Sequence, residues 1–512
     1  MKRLITLIAL ITFSFIAING MAQTKGYDIK VKLRNYSDKS LMLVTYYGTT
    51  NKIVDTAYVN KAGIFEFKGD EPLVGGIYLV VLTNKTYFEI LVDKDQFFSL
   101  ETDKNDMVGA MKVKGSTDNS DFYALMHYMS ELGTKRQALD VELKAAGEDE
   151  AKKKEIEEKM KAIGKEADDY KIKYMEEHPN TLFTTILKAS KEPDIPKELP
   201  LKEDGTPDST YIYKYYRAHY FDNFDFADER LLHTRFYAEK IKKYWTKIIP
   251  QNPDTLINEA IRIIELSKPN KETYKFTIWY FTYTAETSNI MGMDAVFVAL
   301  AKKYYLTGEA WWVSDKVLEN MRERVNTLEK LLIGKKAPNM IMQNPQLQLV
   351  SMYDIKARYT LILFWDPDCG HCRHEIPRIK KWMDENAKKY DVKIYSVCSD
   401  TSMVKWTKAI KEFGIEDWIN VNGPRSITPE YHDLYDIIST PTIYLLDKDK
   451  KIIAKRLSEP QVAEFIERDY KKNYGVKTKK TPSQKPDASK IEKPLKGSDS
   501  VNIETPKKVQ NK

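Results

Sequence analysis

Hydrophobic and polar positions alternate in short runs near the start of the chain. Runs such as DIKVKL, SLMLVTYY, GIFEFKG and YFEILVD are separated by turn-forming residues, among them the segment Asn60–Gly63 and the pair Gly75-Gly76. A period of two, with many β-branched and aromatic residues, is typical of strands that bury one face. The pattern therefore predicts an N-terminal antiparallel β-sandwich-like domain at residues 23–115.

The spacing of apolar residues changes to the helical period from about residue 118. The charged segment 138–174 carries only a sparse apolar stripe, as expected of a helix or helical hairpin that faces solvent. Segments rich in Tyr, Phe and Trp follow, and aromatic residues at helical spacing usually form a core. We expect an α-helical middle domain at residues 116–331, without the ligand spacing of a metal site.

A third pattern begins after the segment LIGKKAP at residues 332–338. The strand-like runs TLILFW, VKIYSVCS and TIYLLD alternate with helical segments, and KIIAKRL follows the last of them after a turn. Strands that alternate with helices predict a largely parallel sheet, and the final hairpin adds an antiparallel edge. Residues 332–475 are therefore expected to form a C-terminal α/β domain.

The two ends of the chain differ from these domains in composition. Residues 1–22 combine Lys2 and Arg3 with an apolar run too short to cross a bilayer, followed by small residues. This is the pattern of a cleaved signal peptide, with an uncleaved anchor as the alternative. Residues 476–512 are rich in Lys, Pro and Ser, which predicts a disordered tail. The mature chain, with no transmembrane segment, is expected to be soluble in the periplasm or cell envelope.

The formal net charge of +7 belongs to these ends, because the tail carries ten lysines against four acidic residues and the signal peptide adds two more cations. The remainder of the chain is nearly neutral. It lacks the basic surface that nucleic-acid binding needs, so no nucleic-acid partner is expected.

The three cysteines, Cys369, Cys372 and Cys398, all lie late in the chain. An exported protein without cysteine in its first 368 residues is not built on structural disulfides. The first two form a C-x-x-C pair in the segment FWDPDCGHCRHEIP. A zinc site needs more ligands than this segment offers, and a disulfide over so short a gap stabilises a fold little. The pair is expected to form a redox-active disulfide, Cys369–Cys372, with no metal and no other cofactor.

The position of each cysteine predicts its role. The strand TLILFW brings Cys369 to the start of a helix, where free N–H groups and the helix dipole favour a thiolate. Cys369 should therefore be exposed and attack a client disulfide, while Cys372, one turn further, resolves the mixed disulfide. Cys398 lies in an apolar strand-like run and is expected to be a buried, inert thiol, with a third redox partner as the alternative.

The pair Ala337-Pro338, the strand ending in Phe-Trp, the segment CGHCRHEIP and the pair Thr440-Pro441 together resemble a thioredoxin-fold domain of the ResA/TlpA type. The resemblance covers roughly residues 333–474. It implies a cis-proline loop at Thr440 and Pro441 that faces the disulfide and binds extended substrate backbone, and a glutamate, Glu375, beside the cysteines. The upstream regions are similar to uncharacterised domains that precede such modules in exported bacterial proteins.

Glu375 lies three residues beyond Cys372. Helix side chains lean toward the N-terminus, so its carboxylate can reach back toward the resolving sulfur and accept its proton. The alternative is an acidic residue of the first turn that only complements the helix dipole.

The residues around the first cysteine are expected to tune its redox behaviour: Asp368, Gly370 and His371. Asp368 stands where a tryptophan is usual in the family, and together with Asp366 it should raise the pKa of Cys369. An imidazolium at His371 should lower that pKa. The competing charges leave the direction of electron flow open, and the resemblance favours a reductant.

The sequence thus predicts an exported thiol-disulfide oxidoreductase that acts on protein thiol or disulfide clients, with a membrane electron donor or acceptor. Two alternatives remain: a disulfide isomerase or oxidant, and a non-catalytic binding or scaffold protein of the cell envelope. A peroxidase is disfavoured, because that chemistry uses one activated cysteine in a motif of its own.

Overall fold

The computed structural model describes residues 26–474. The predicted signal peptide and the predicted tail lie outside the described residues. Compactness divides the described chain into two units: unit 1 holds residues 26–249 and Leu266–Thr273, and unit 2 holds Pro250–Glu265 and residues 274–474. Because compactness does not test which segments fold independently, the domain boundaries given above stay a prediction. No helix within residues 26–474 has the length and apolar content needed to cross a membrane.

Unit 1 opens with eight strands that form two four-stranded sheets, in the orders β4-β1-β7-β8 and β3-β2-β5-β6. The strands are β1 (Tyr27–Arg34), β2 (Ser40–Tyr47), β3 (Thr50–Tyr58), β4 (Phe65–Gly69), β5 (Gly76–Val81), β6 (Tyr87–Val92), β7 (Phe97–Asp103) and β8 (Lys112–Lys114).

Alternate residues of β1 and β7 are buried, as the period of two predicts. Ile29, Phe67 and Ile90 are among the fully buried residues of the shared core. The β-sandwich-like fold is confirmed, but β1 and β7 run parallel, with Asp28 opposite Phe97. Local alternation does not reveal strand direction, because either direction produces the same buried face.

Six helices of unit 1 follow the strands: α1 (Thr117–Ala145), α2 (Glu150–Glu177), α3 (Leu182–Ser190), α4 (Tyr211–His219), α5 (Glu229–Leu232) and α6 (Arg235–Lys243). Ser116 caps α1 and Asp149 caps α2 through hydrogen bonds from backbone N–H groups. Tyr128 of α1 stacks on Tyr170 of α2 at 4.5 Å between ring centroids. The two helices form the predicted solvent-facing hairpin, in which Ile156 is the buried residue of α2.

Four more helices continue the helical region: α7 (Pro253–Ser267), α8 (Lys271–Glu286), α9 (Met293–Leu300) and α10 (Asp315–Lys330). The boundaries between the two units at 265/266 and 273/274 fall inside α7 and α8. The helical middle region predicted from the sequence is confirmed as a fold class.

The last part of unit 2 contains a seven-stranded sheet in the order β10-β9-β13-β12-β11-β14-β15. Its strands are β9 (Ile341–Gln343), β10 (Leu349–Ser351), β11 (Tyr359–Trp365), β12 (Val392–Cys398), β13 (Ile419–Ser426), β14 (Thr442–Leu446) and β15 (Ile452–Lys455). Its helices are α11 (Gly370–Tyr390), α12 (Met403–Phe413), α13 (Tyr431–Tyr435) and α14 (Glu459–Asn473).

Strands β11, β12 and β13 are parallel, and β14 and β15 are antiparallel to their neighbours. All seven residues of β11 are buried, since separate cores cover its two faces. The expected α/β domain with an antiparallel final hairpin is confirmed. The prediction of a largely parallel sheet is wrong, because β14 also runs antiparallel to β11 and β9 runs antiparallel to β13. The alternation of strands and helices along the chain does not fix the direction of every strand. The central strand ends at Trp365, and the segment that follows it carries the C-x-x-C pair.

Candidate active site

The C-x-x-C pair lies where β11 gives way to α11. Cys369 occupies the N-cap position of that helix in an extended conformation, with φ −73° and ψ 117°. The first turn of a helix leaves its N–H groups without helical partners, and these groups carry the positive end of the dipole. The fold therefore places the first sulfur at a position that favours negative charge.

The sulfur of Cys369 is partly exposed, and its thiol donates a hydrogen bond of 3.2 Å to the carbonyl oxygen of Thr440. Burial raises the pKa of Cys369, but hydrogen bonds from the backbone N–H of Cys372, from the side chain of Thr440 and from the backbone N–H of His371 outweigh it. The pKa of Cys369 therefore lies below its ordinary value. Since the thiolate is the nucleophile, this sulfur is the one suited to attack.

Cys372 is fully buried one turn into α11. Burial raises its pKa to about 12, and the neighbouring Cys369 adds to the effect, while the backbone N–H of Asp366 acts against it. A buried sulfur with a raised pKa needs a base before it can react. The two sulfurs thus differ in the way that the predicted roles of attacking and resolving cysteine require.

The loop before β14 contributes the wall opposite the cysteines. Thr440 and Pro441 are joined by a cis peptide bond, and both are partly buried. Because β14 pairs with β11, with Phe364 opposite Thr442, this loop lies beside the end of the central strand. The structure thus brings Thr440 to Cys369, as the cis-proline resemblance implies, across 71 positions of sequence.

Glu375 lies on the second turn of α11 and is half-buried. Within residues 26–474 no hydrogen bond joins its carboxylate to either sulfur. Its role as proton acceptor stays a prediction.

The acidic residues beside Cys369 both have partners in the fold. Asp368 is exposed and forms an ion pair of 2.8 Å with Lys405, while Asp366 accepts a hydrogen bond of 2.6 Å from Ser399. The pKa of Cys369 lies below its ordinary value, and the expected influence of the two acids on it stays a prediction. Each carboxylate is balanced by a donor that comes from a distant part of the sequence.

The other two residues expected to tune the site lie on the first turn of α11. His371 is exposed, and its backbone N–H is among the groups that lower the pKa of Cys369. Gly370 is also exposed, and a Cβ added there would meet no atom within 4 Å. Space alone therefore does not require glycine at that position.

Sequence reasoning missed Lys405 and Ser399. Lys405 lies on α12, and no local pattern links it to Asp368, because the ion pair spans 37 positions. Cys398 was expected to be buried, and this is confirmed: it is inaccessible at the end of β12, and burial raises its pKa to about 12. No cluster of three or more His, Cys, Asp or Glu able to hold a metal ion occurs among the described residues.

A central buried strand, a C-x-x-C pair at the start of the next helix and a facing cis-proline loop define a thioredoxin-like redox domain. Residues 333–455 match the model of the AhpC/TSA family. Residues 27–122 match a domain of unknown function (DUF4369), and residues 148–331 match another (DUF5106).

The thiol-disulfide oxidoreductase ResA of Bacillus cereus (strain ZK / E33L) is 27% identical over 142 residues, which are 27% of this chain and 77% of the relative. The thioredoxin-like protein YneN of Bacillus subtilis (strain 168) is 29% identical over 116 residues, 22% of this chain and 65% of the relative. A solved domain of a possible thiol-disulfide isomerase from Cytophaga hutchinsonii is 36% identical and covers 28% of this chain and 95% of that chain, with a TM-score of 0.26. The chain thus carries a C-terminal thioredoxin-like domain that is similar to thiol-disulfide oxidoreductases.

Proposed function

We propose that this protein is exported and reduces disulfides of protein clients through Cys369 and Cys372, with a membrane electron donor that restores the dithiol. The observation that carries the proposal is the contrast between the two sulfurs. Cys369 is partly exposed with a lowered pKa, and Cys372 is buried with a raised one. This contrast supports one attacking and one resolving thiol.

The reaction has two exchange steps. The Cys369 thiolate attacks one sulfur of a client disulfide, the client S–S bond breaks, and the departing client sulfur takes up a proton. Cys372 then loses its proton and attacks Cys369, which releases the second client sulfur and leaves the Cys369–Cys372 disulfide. The client gains two electrons and the pair loses two.

The loop at Thr440 and Pro441 would hold the client during the first step. In the dithiol state the Thr440 carbonyl oxygen accepts a hydrogen bond from the Cys369 thiol. When that proton is lost, the carbonyl is free to accept an N–H group of an extended client backbone. Glu375 would receive the proton of Cys372 in the second step, because that thiol does not ionise readily in its buried position.

A Cys372→Ser variant tests the order of the steps. Attack by Cys369 should proceed and resolution should fail, so the variant accumulates mixed disulfides with clients. The adducts are detected on non-reducing gels and identified by mass spectrometry after isolation from cell envelopes. The Cys369→Ser/Cys372→Ser double variant is the matched control and should give none. Adducts that form on Cys369→Ser but not on Cys372→Ser would reverse the assigned roles.

An isomerase or oxidant is a second candidate, favoured by the lowered pKa of Cys369. A stabilised thiolate stabilises the dithiol state and makes the disulfide more oxidising. Equilibration with glutathione measures the difference. A reduction potential of about −270 mV supports a reductant, and one of about −180 mV supports an isomerase.

A non-catalytic scaffold is tested in the host. Full biological function of the Cys369→Ser/Cys372→Ser variant would replace the enzymatic proposal with a binding role. Sequencing the N-terminus of the protein recovered from the cell envelope tests export, with cleavage after Ala22 as the expected result.

A further inference from the structure

A cavity of about 730 Å³ lies within unit 1, away from all three cysteines in the sequence. One face of α6 forms one wall, and β6 and α1 contribute others. Its volume is in the range of sites that bind small organic molecules. The side chains on which the inference rests are Phe88, Glu89, Phe122, Arg235, Phe236 and Lys240.

Aromatic side chains form much of the apolar lining. Phe88 and Phe122 are buried, and Phe236 is half-buried next to Arg235 on α6. Aromatic side chains offer large, rigid contact surfaces to a flat or extended apolar group. The cavity is therefore suited to a ligand with an apolar body.

Charged side chains of both signs line the cavity. The charge of the ligand that the cavity prefers therefore depends on which of these side chains already have a partner in the fold. Lys243 forms an ion pair of 2.9 Å with Glu192. Lys240 is buried and donates hydrogen bonds of 2.8 Å to two backbone carbonyls, those of Ala189 and Lys191. These cations are committed to the fold.

Arg235 differs from these lysines. It is the first residue of α6, held there by the cap of Thr234, and it is half-buried. Its guanidinium lies 5.2 Å from the ring centroid of Phe236, and no ion pair within the described part of the chain involves it. A guanidinium presents a planar fork of donors that fits a carboxylate with two parallel hydrogen bonds.

The acidic residues of the lining do not take the place of such a ligand. Glu89 receives a hydrogen bond of 3.4 Å from Tyr46, and burial raises its pKa, although Arg235 acts in the opposite direction. Asp106 accepts from the backbone N–H of Gly109 at 2.8 Å, and Glu239 is exposed. Lys104 also lines the cavity, but it is exposed, and its ammonium lies 5.9 Å from the ring centroid of Tyr36. Arg235 is thus the half-buried cation of the lining that has no ion pair among the described residues.

We propose that this cavity binds an organic carboxylate with an apolar body, whose carboxylate pairs with Arg235 and whose body packs on the phenylalanines. The cavity is lined by residues from both matched regions of unknown function. The proposal assigns them a class of ligand, and it does not depend on the cysteine chemistry.

Two probes of matched shape test the charge preference on the full chain. Anilinonaphthalene sulfonate is an aromatic anion, and N-phenyl-naphthylamine has the same rings without the anionic group. Both should bind saturably with increased fluorescence, the anion more tightly. Arg235→Gln should weaken binding of the anionic probe by about tenfold or more and should change the affinity for the neutral probe little. Arg322→Gln, which removes the same charge from an exposed position of α10, should change neither.

A second variant tests the location. Met126→Trp places a larger side chain in the lining and should weaken both probes, with thermal unfolding used to verify that the variant is folded. Unchanged affinity of the anion in Arg235→Gln would overturn the proposal. An equal loss of both probes in that variant would also overturn it, because charge would then not be what is recognised.

Competition separates the two sources of such a carboxylate. N-acetyltryptophan represents the carboxyl end of an apolar peptide, and dodecanoate represents a fatty acid. Displacement of the sulfonate by either one supports the proposal and identifies the source. Failure of both to displace it would overturn the carboxylate assignment.

Discussion

Cys369 and Cys372 carry the same side chain, yet their pKa values move in opposite directions. The first sulfur lies at the N-cap beside backbone N–H groups that have no partner within the helix, and the second sulfur is buried one turn further on. Spacing along the chain predicted this asymmetry, because a strand followed by a helix fixes which cysteine meets the helix end. The pKa of Cys369 below its ordinary value means that its thiolate fraction, and its rate of alkylation, rise at a lower pH than for an ordinary thiol.

Glu375→Gln tests the proton acceptor proposed for Cys372. The change keeps the size of the side chain and removes its basicity, so the resolution step should slow by about tenfold or more, while alkylation of Cys369 stays unchanged. Stopped-flow measurement of exchange with a model disulfide over a range of pH gives the resolution rate, and reaction with iodoacetamide gives the alkylation rate of Cys369. Glu385→Gln, a charge-matched change later on α11, is the control. If the variant and the unchanged protein have equal resolution rates at every pH, Glu375 is not the proton acceptor and only complements the helix dipole.

Lys405 is a residue that tertiary contact adds to the site. Lys405→Ala should raise the pKa of Cys369, because it leaves the Asp368 carboxylate without its partner one position before the sulfur. The pair is exposed, so the increase should be small and shrink as salt is added. The thiolate absorbance of the Cys372→Ser background reports this pKa. Adding Asp368→Asn should cancel the increase, and a pKa that stays raised in that double variant would contradict the explanation.

At the scale of elements, α1 closes an open edge of the β3-β2-β5-β6 sheet. Strand β6 is the last strand of that sheet, and the side chain of Asn119 pairs with the backbone of Leu91. Its carbonyl accepts from the Leu91 N–H at 2.8 Å, and its amide donates to the Leu91 carbonyl at 2.6 Å. A fully buried side chain thus takes the place of a neighbouring strand.

Asn119→Ala should destabilise unit 1 by about 2–4 kcal/mol, because both buried backbone groups of Leu91 lose their partner. Urea unfolding of the full chain, followed by circular dichroism, measures the loss. Asn473→Ala on the exposed end of α14 is the matched control and should have little effect. A loss below about 1 kcal/mol would mean that other groups satisfy the strand edge.

Most elements followed from the hydrophobic period. The buried strand β11, the helix after the cysteines and the final hairpin were all predicted, because their runs are long and regular. The parallel pairing of β1 with β7 was not predicted, since the two strands lie far apart in the sequence and local alternation carries no direction.

At the scale of the whole molecule, two compact units contain three sequence-matched regions. The matched region at residues 148–331 is divided between the units, because its residues up to 249 and Leu266–Thr273 belong to unit 1 and the remainder belongs to unit 2. The spacing of apolar residues identified this region as helical, but it did not show how the helices are divided between the units. The cavity of unit 1 likewise joins residues from β6, α1 and α6, which no single stretch of sequence displays together.

The sequence by itself determined the order of fold classes, the C-x-x-C pair and which cysteine begins a helix. These properties depend on residue type and on neighbours a few positions away. Tertiary structure alone decided that Lys405 balances Asp368, that Ser399 pairs with Asp366 and that Arg235 lines a cavity. Electrostatic and hydrogen-bond energies depend on distance in space, and chain separation does not encode that distance.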